Sequence, residues 1–111
     1  MGLFDFIKVD KEKQTAELLT LVKKASDLRT KIFENLIGAN DVDAQTDELI
    51  REYNAVMNNA YRLRRNIGHS IDNLTFDNGF STVRIQSFFV SQKLSIEAYP
   101  PHIKAKFRLP Y

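Results

Sequence analysis

The sequence predicts an α+β fold, a long antiparallel helical hairpin followed by a small three-stranded antiparallel β-meander. Three observations carry that expectation. Val42, Thr46, Leu49, Tyr53, Val56, Ala60, Leu63 and Ile67 recur at alternating spacings of four and three, which lines one face of a helix with a coiled-coil-type seam. Leu18, Leu21, Ala25, Leu28 and Ile32 repeat the pattern upstream. Beyond residue 80 the apolar period shortens to two, as in half-buried strands.

The first helix is expected over residues 10–37, with Asp10 as its N-cap and Glu12 in its first turn. Val22, Leu36 and Ile37 widen its stripe beyond a narrow seam. Lys11, Lys13, Lys23, Lys24, Arg29 and Lys31 fall off the stripe and read as a solvated face. Gly38-Ala39-Asn40 ends the helix, because Gly38 adopts a left-handed conformation without side-chain cost. So short a connection makes the next helix an antiparallel neighbour.

That second helix is expected over residues 41–72, capped by Asn40 or Asp41 and roughly 45 Å long. Asp41, Asp43, Asp47 and Glu48 crowd its start, and Arg62, Arg64 and Arg65 its end, both favourable to the helix dipole. The acids do not spell a calcium loop, since the central Gly and terminal Glu are missing. Tyr53 should be buried with its hydroxyl reaching an edge. Asn54, Asn58 and Asn59 are poor residues for a helix interior.

In the C-terminal third, residues 73–111, Asp77-Asn78-Gly79 is turn chemistry. Read as strands, Val83 and Ile85 share a face, which Phe88 and Val90 continue past a bulge near Ser87. Ser91-Gln92-Lys93 would join Val90 to a strand carrying Leu94, Ile96 and Ala98. A turn at Tyr99-Pro100-Pro101-His102 would pair that strand with Ile103, Ala105, Phe107 and Leu109. Glu97 then faces Lys104 as a cross-strand ion pair. The alternative is an all-α three-helix bundle, with a third helix over 81–98 and an extended C-terminal tail.

Residues 1–9 form an apolar leader. Gly2-Leu3-Phe4-Asp5-Phe6-Ile7-Lys8 resembles the opening of the aurein-type membrane-active peptides, and the resemblance implies an interfacial amphipathic turn. Leu3, Phe4, Phe6 and Ile7 are therefore candidate contacts to a protein partner or to a membrane surface. Phe6 stands where myristoylation needs Ser or Thr, so lipidation is excluded. Glu52-Tyr53-Asn54 and Glu97-Ala98-Tyr99-Pro100 resemble short phrases of the LemA family of helical membrane proteins; their spacing differs, and no property of that family is carried over.

Length implies one domain. The chain has no cysteine, hence no disulfide framework or thiolate chemistry. It has no apolar run long enough for a membrane span. A cytoplasmic protein is expected. Residues 1–55 carry eight basic and eleven acidic side chains and residues 56–111 eight and three, so the halves carry −3 and +5. Arg62, Arg65 and His69 recur on one helical face, and Lys104, Lys106 and Arg108 on one strand face. Together they make a candidate anion-binding surface, with Phe89 as a stacking ring for nucleic acid. No phosphate loop, dinucleotide fingerprint, zinc spacing or nucleophile–base pairing is present. No cofactor, metal or enzymatic activity is expected. The expected function is protein–protein interaction or assembly through the hairpin, homo-oligomers included. Binding of nucleic acid or another polyanion, and peripheral membrane association, are the alternatives.

Overall fold

The computed structural model describes the backbone of residues 3–110 and the side chains of residues 10–110. Two long helices, α1 (Leu3–Leu36) and α2 (Ala44–Ile67), form the expected antiparallel hairpin. After a 3-10 turn at His69–Asn73 come a short hairpin, β1 (Thr75–Asp77) and β2 (Thr82–Arg84), then α3 (Ile85–Glu97) and one further helical turn, α4 (Pro101–Lys104).

The hairpin core follows the sequence pattern closely. Leu18, Val22, Ala25, Leu28, Ile32 and Leu36 of α1 are buried against Thr46, Tyr53, Val56, Ala60, Leu63 and Ile67 of α2. Val42 and Leu49 pack at the edge. Ile50 and Met57 are buried as well, so the stripe of α2 is wider than a two-position seam, because it must meet α3 in addition to α1. Lys24 and Glu52 bridge the two helices at 3.1 Å.

The helix boundaries differ from expectation in an instructive way. Asp10 is not an N-cap: α1 runs unbroken from Leu3, leaving Asp10 exposed inside the helix. The candidate contact residues Leu3, Phe4, Phe6 and Ile7 thus belong to α1, and their side chains lie outside the described residues. The cap of α2 is Asp43, not Asn40 or Asp41; its carboxylate accepts the Thr46 backbone N–H at 2.7 Å. That bond holds the Asp43 carboxyl below its usual range, and the Thr46 hydroxyl adds to it. Gly38 takes φ of +73° after α1, as the connection requires. Gly68, at φ of +98°, stops α2 at Ile67, five residues short of the expected end.

The three-stranded meander is not formed. The sheet has two strands, paired in antiparallel register with Phe76 opposite Val83. Asp77-Asn78-Gly79 makes the turn as expected: the Asn78 carboxamide oxygen accepts from Phe80 and Ser81, and Gly79 sits at φ of +95°. Residues 85–97 are helical, as in the alternative reading. The inward positions of α3 are Ile85, Phe88, Phe89, Gln92 and Ile96. Their spacing is helical, but the stripe is disguised because Gln92 stands in the core while Val90 and Leu94 stand outside. Gln92 is tolerated there because its carboxamide oxygen accepts the Tyr53 hydroxyl at 2.5 Å. The Tyr53 hydroxyl thus ends in the core and not at an edge.

Pro101 opens α4, a place where its missing N–H costs nothing. Glu97 and Lys104 are both exposed and form no ion pair with each other. The alternation at the C-terminus is real, yet its partner is a helix and not a strand. Phe107 and Leu109 are part-buried while Lys106 and Arg108 are exposed. Asn54 of α2 accepts the Arg108 N–H at 3.1 Å and donates to the Lys106 carbonyl at 3.0 Å, and Asn58 donates to the Arg108 carbonyl at 3.0 Å. Two side-chain amides one helical turn apart thus do for this tail what a neighbouring strand would do. The Phe107 ring stacks on Tyr99 and meets Tyr53 edge-on.

Candidate functional site

Between α1 and α3 the surface opens into a groove of about 510 Å³ lined by Arg29, Thr30, Phe33, Ser95, Ala98 and Tyr99. The hairpin seam aims the core of α1 at α2, so the positions one step round the wheel, Arg29 and Phe33, turn towards α3. Phe33 is 56% exposed, and Ile37 one turn further on is 65% exposed. On the outward face of α3, Leu94 and Val90 are 62% and 54% exposed.

Among the described residues, Arg29 is the only charged one lining that groove. One guanidinium nitrogen, Nη1, donates to the Ser95 hydroxyl at 2.7 Å. Its Nε is buried and has no hydrogen-bond partner among the described residues. No carboxylate among the described residues lies within ion-pair distance of it. Tyr99 closes one end of the groove, and burial there raises its phenol pKa although the nearby Arg29 charge pulls the other way. The groove thus combines the apolar surfaces of Phe33 and Ala98 and the Tyr99 ring with one positive charge.

The anion-binding candidates sit elsewhere and in two separate places. Arg65 and His69, with Tyr61, Arg64, Gly68 and Asp72, line a shallow cavity at the C-terminal end of α2, and Arg62 is exposed on the same helix. Arg64, which the sequence reading left out of the candidate surface, dominates the local geometry. It donates to Asp72 at 2.8 Å and lies 4.7 Å over the centroid of the Phe89 ring. The hydrogen bond from Arg64 depresses the Asp72 pKa, and His69 Nδ1 at 3.8 Å adds a weaker contribution. Phe89 is buried under this arrangement and is no exposed stacking ring. Lys106 and Arg108 line a different cavity with Asp47, Arg51 and Asn54, near the start of α2. Lys106 is ion-paired there with Asp47 at 3.4 Å, and Lys104 is exposed in α4. Asp47 and Arg65 are about 27 Å apart along the helix axis, so the two basic groups do not merge into one surface.

Among the described residues no group of three or more His, Asp or Glu side chains could hold a metal ion. No helix among them is long and apolar enough to cross a membrane. Comparison with protein-family models, with curated proteins and with solved structures finds no match.

The sequence hides the groove because Arg29 reads as part of a solvated face, and Ser95, Ala98 and Tyr99 read as residues of a strand and turn that do not form. One signal was legible: Phe33 and Ile37 are four residues apart at the end of α1, a second apolar line beside the seam.

Proposed function

We propose that this chain is a small, non-enzymatic protein-interaction module that docks another polypeptide in the groove between α1 and α3, with the cytoplasm as its setting. The observation that carries the reading is the company Arg29 keeps: a half-buried cation without an acid partner among the described residues, in a groove it shares with Phe33 and Tyr99. A partner's carboxylate would offset the Arg29 charge in these partly apolar surroundings. Apolar residues in the groove centre supply the anchor that protein interfaces are built around.

The test is capture of tagged protein from its host lysate, with and without nuclease, comparing the wild type with two double variants. Phe33→Asp with Ala98→Asp, both exposed groove positions, should abolish capture of a stoichiometric, nuclease-resistant partner. Arg62→Glu with Arg65→Glu should leave it intact. The opposite pattern, with capture lost on nuclease treatment or steeply weakened by salt, would overturn the reading in favour of a polyanion bound at the C-terminal end of α2.

A further inference from the structure

We propose that the cavity between the start of α2 and the C-terminal tail is a binding site for a phosphoryl dianion, carried by a small polar molecule or free as inorganic phosphate. The site is separate from the α1–α3 groove and shares no described lining residue with it.

The first support is charge. The cavity measures about 480 Å³ and brings together Arg51, Lys106 and Arg108 with Asp47, Asn54 and His102. Asp47 is the one acid in its lining among the described residues, so with His102 neutral the walls carry a net charge of +2. That single carboxylate is divided between two cations. Its Oδ2 meets Arg51 Nε at 3.2 Å and its Oδ1 meets Lys106 Nζ at 3.4 Å, both longer than the roughly 2.7–2.9 Å of a strong charge-assisted bond. Arg108 has no ion pair among the described residues, and its hydrogen bonds are made by its backbone. Guanidinium forks such as those of Arg51 and Arg108 match the oxygens of a phosphate in pairs. A phosphate monoester carries about −1.5 to −2 charges at neutral pH, which balances the walls.

The second support is the way the cations are held. Asn54 accepts the Arg108 N–H and donates to the Lys106 carbonyl, and Asn58 donates to the Arg108 carbonyl. Between the two cations, Phe107 turns inward and stacks on Tyr99. Its neighbours Lys106 and Arg108 are left on the exposed side, where both line the cavity with Arg51. The backbone that carries them is thus fixed before a ligand arrives, which spares the cost of ordering it on binding.

The cavity at the other end of α2 is less suited to an anion. Arg64 is committed there to Asp72 at 2.8 Å, and the carbonyls at a helix C-terminus disfavour negative charge. The volume near Arg51 falls within the range of about 300–1,000 Å³ common for small-molecule sites, so it has room for a group attached to the phosphoryl.

The experiment is a titration of the isotope-labelled full chain at neutral pH, followed by amide chemical shifts, with inorganic phosphate and separately with glycerol phosphate. Sodium chloride holds the ionic strength constant. Saturable shifts are expected at Arg51, Asn54, Lys106 and Arg108, with Arg65 and His69 unmoved. Arg51→Gln and Arg108→Gln, both at exposed positions, should each weaken binding about fivefold or more, with circular dichroism confirming the fold. Arg65→Gln should leave the affinity unchanged. Tighter binding of glycerol phosphate supports the site and identifies its ligand as a phosphate monoester; equal or tighter binding of inorganic phosphate supports it and identifies the free anion. Shifts that rise without saturating, shifts centred on Arg65 and His69, or an affinity indifferent to both Arg51→Gln and Arg108→Gln would overturn the proposal.

Discussion

The hairpin and the C-terminal third of this molecule are held together by different physics. In α1 and α2 an apolar stripe repeats every turn, and each buried residue has neighbours of the same kind above and below it. The C-terminal third joins the same core through Phe76, Ile85, Phe88, Phe89, Ile96 and Ile103, and single polar contacts fix its parts in addition. One hydrogen bond excuses Gln92 from the rule against polar core residues, one hydroxyl meets Arg29, and two asparagines hold the tail. Redundant packing makes a rod. Individually fitted contacts leave gaps between the parts, and the groove at Arg29 is such a gap.

The contrast breaks most visibly in the hairpin. Leu63→Ala should cost about 2–5 kcal/mol, measured as a shifted urea midpoint, because the surrounding seam cannot collapse around the void. Leu94→Ala, the same chemical change on the exposed face of α3, should move that midpoint little. An equal cost at both positions would place Leu94 in the core.

The difference also explains what the sequence made legible. Heptad-like spacing reported the hairpin because the pattern is averaged over many residues, and exchanging Thr46 for an aliphatic residue hardly changes it. In α3 a single swap hides the helix: Gln92 inside and Leu94 outside present two apolar faces and so mimic strands. Gln92 is explained only by Tyr53, 39 positions earlier, a pairing no local period can reveal. The expected strand over residues 103–109 is helical or turn as far as Lys106 and leaves Ala105 exposed. Only the inward placing of Phe107 and Leu109 matches, and their stretch is held by Asn54 and Asn58 instead of a strand. Those asparagines were noted as misfits in a helix, and the misfit was the signal. The groove was illegible because it depends on which helix α1 turns its second apolar line towards.

Tyr53→Phe sharpens the comparison at its junction. Removing the hydroxyl leaves the Gln92 carboxamide oxygen buried without that donor, at a cost of about 1–3 kcal/mol in chemical denaturation. The double change Tyr53→Phe with Gln92→Leu should recover part of that loss, since both polar groups are then gone. Full additivity of the two single effects would mean that the hydrogen bond does not couple them.

A smaller and more local effect is expected at the tail. Asn54→Ala should change global stability by about 1 kcal/mol or less, yet the Arg108 amide should lose its protection from hydrogen exchange. The amides of Lys106 and Phe107, bonded within the preceding turn, should be less affected.

The least is expected from pH, and only on the acid side. The Asp72 pKa is depressed in the folded protein by Arg64. Its contribution is therefore complete above the unfolded-state value of about 3.9 and is lost as pH falls through the folded-state value. Asp72→Asn should lower stability at neutral pH and flatten the fall in stability on acidification. An unchanged acid slope would show that the Arg64–Asp72 pair adds nothing to stability.

The most direct test of the groove as a contact surface is site-specific photo-crosslinking in the host cell. A benzophenone side chain is placed at Phe33 in one variant and at Arg62 in another, both exposed positions. The account predicts discrete protein adducts from position 33 and none from position 62. Adducts from position 62 alone, or none from position 33 while the protein remains folded, would contradict it.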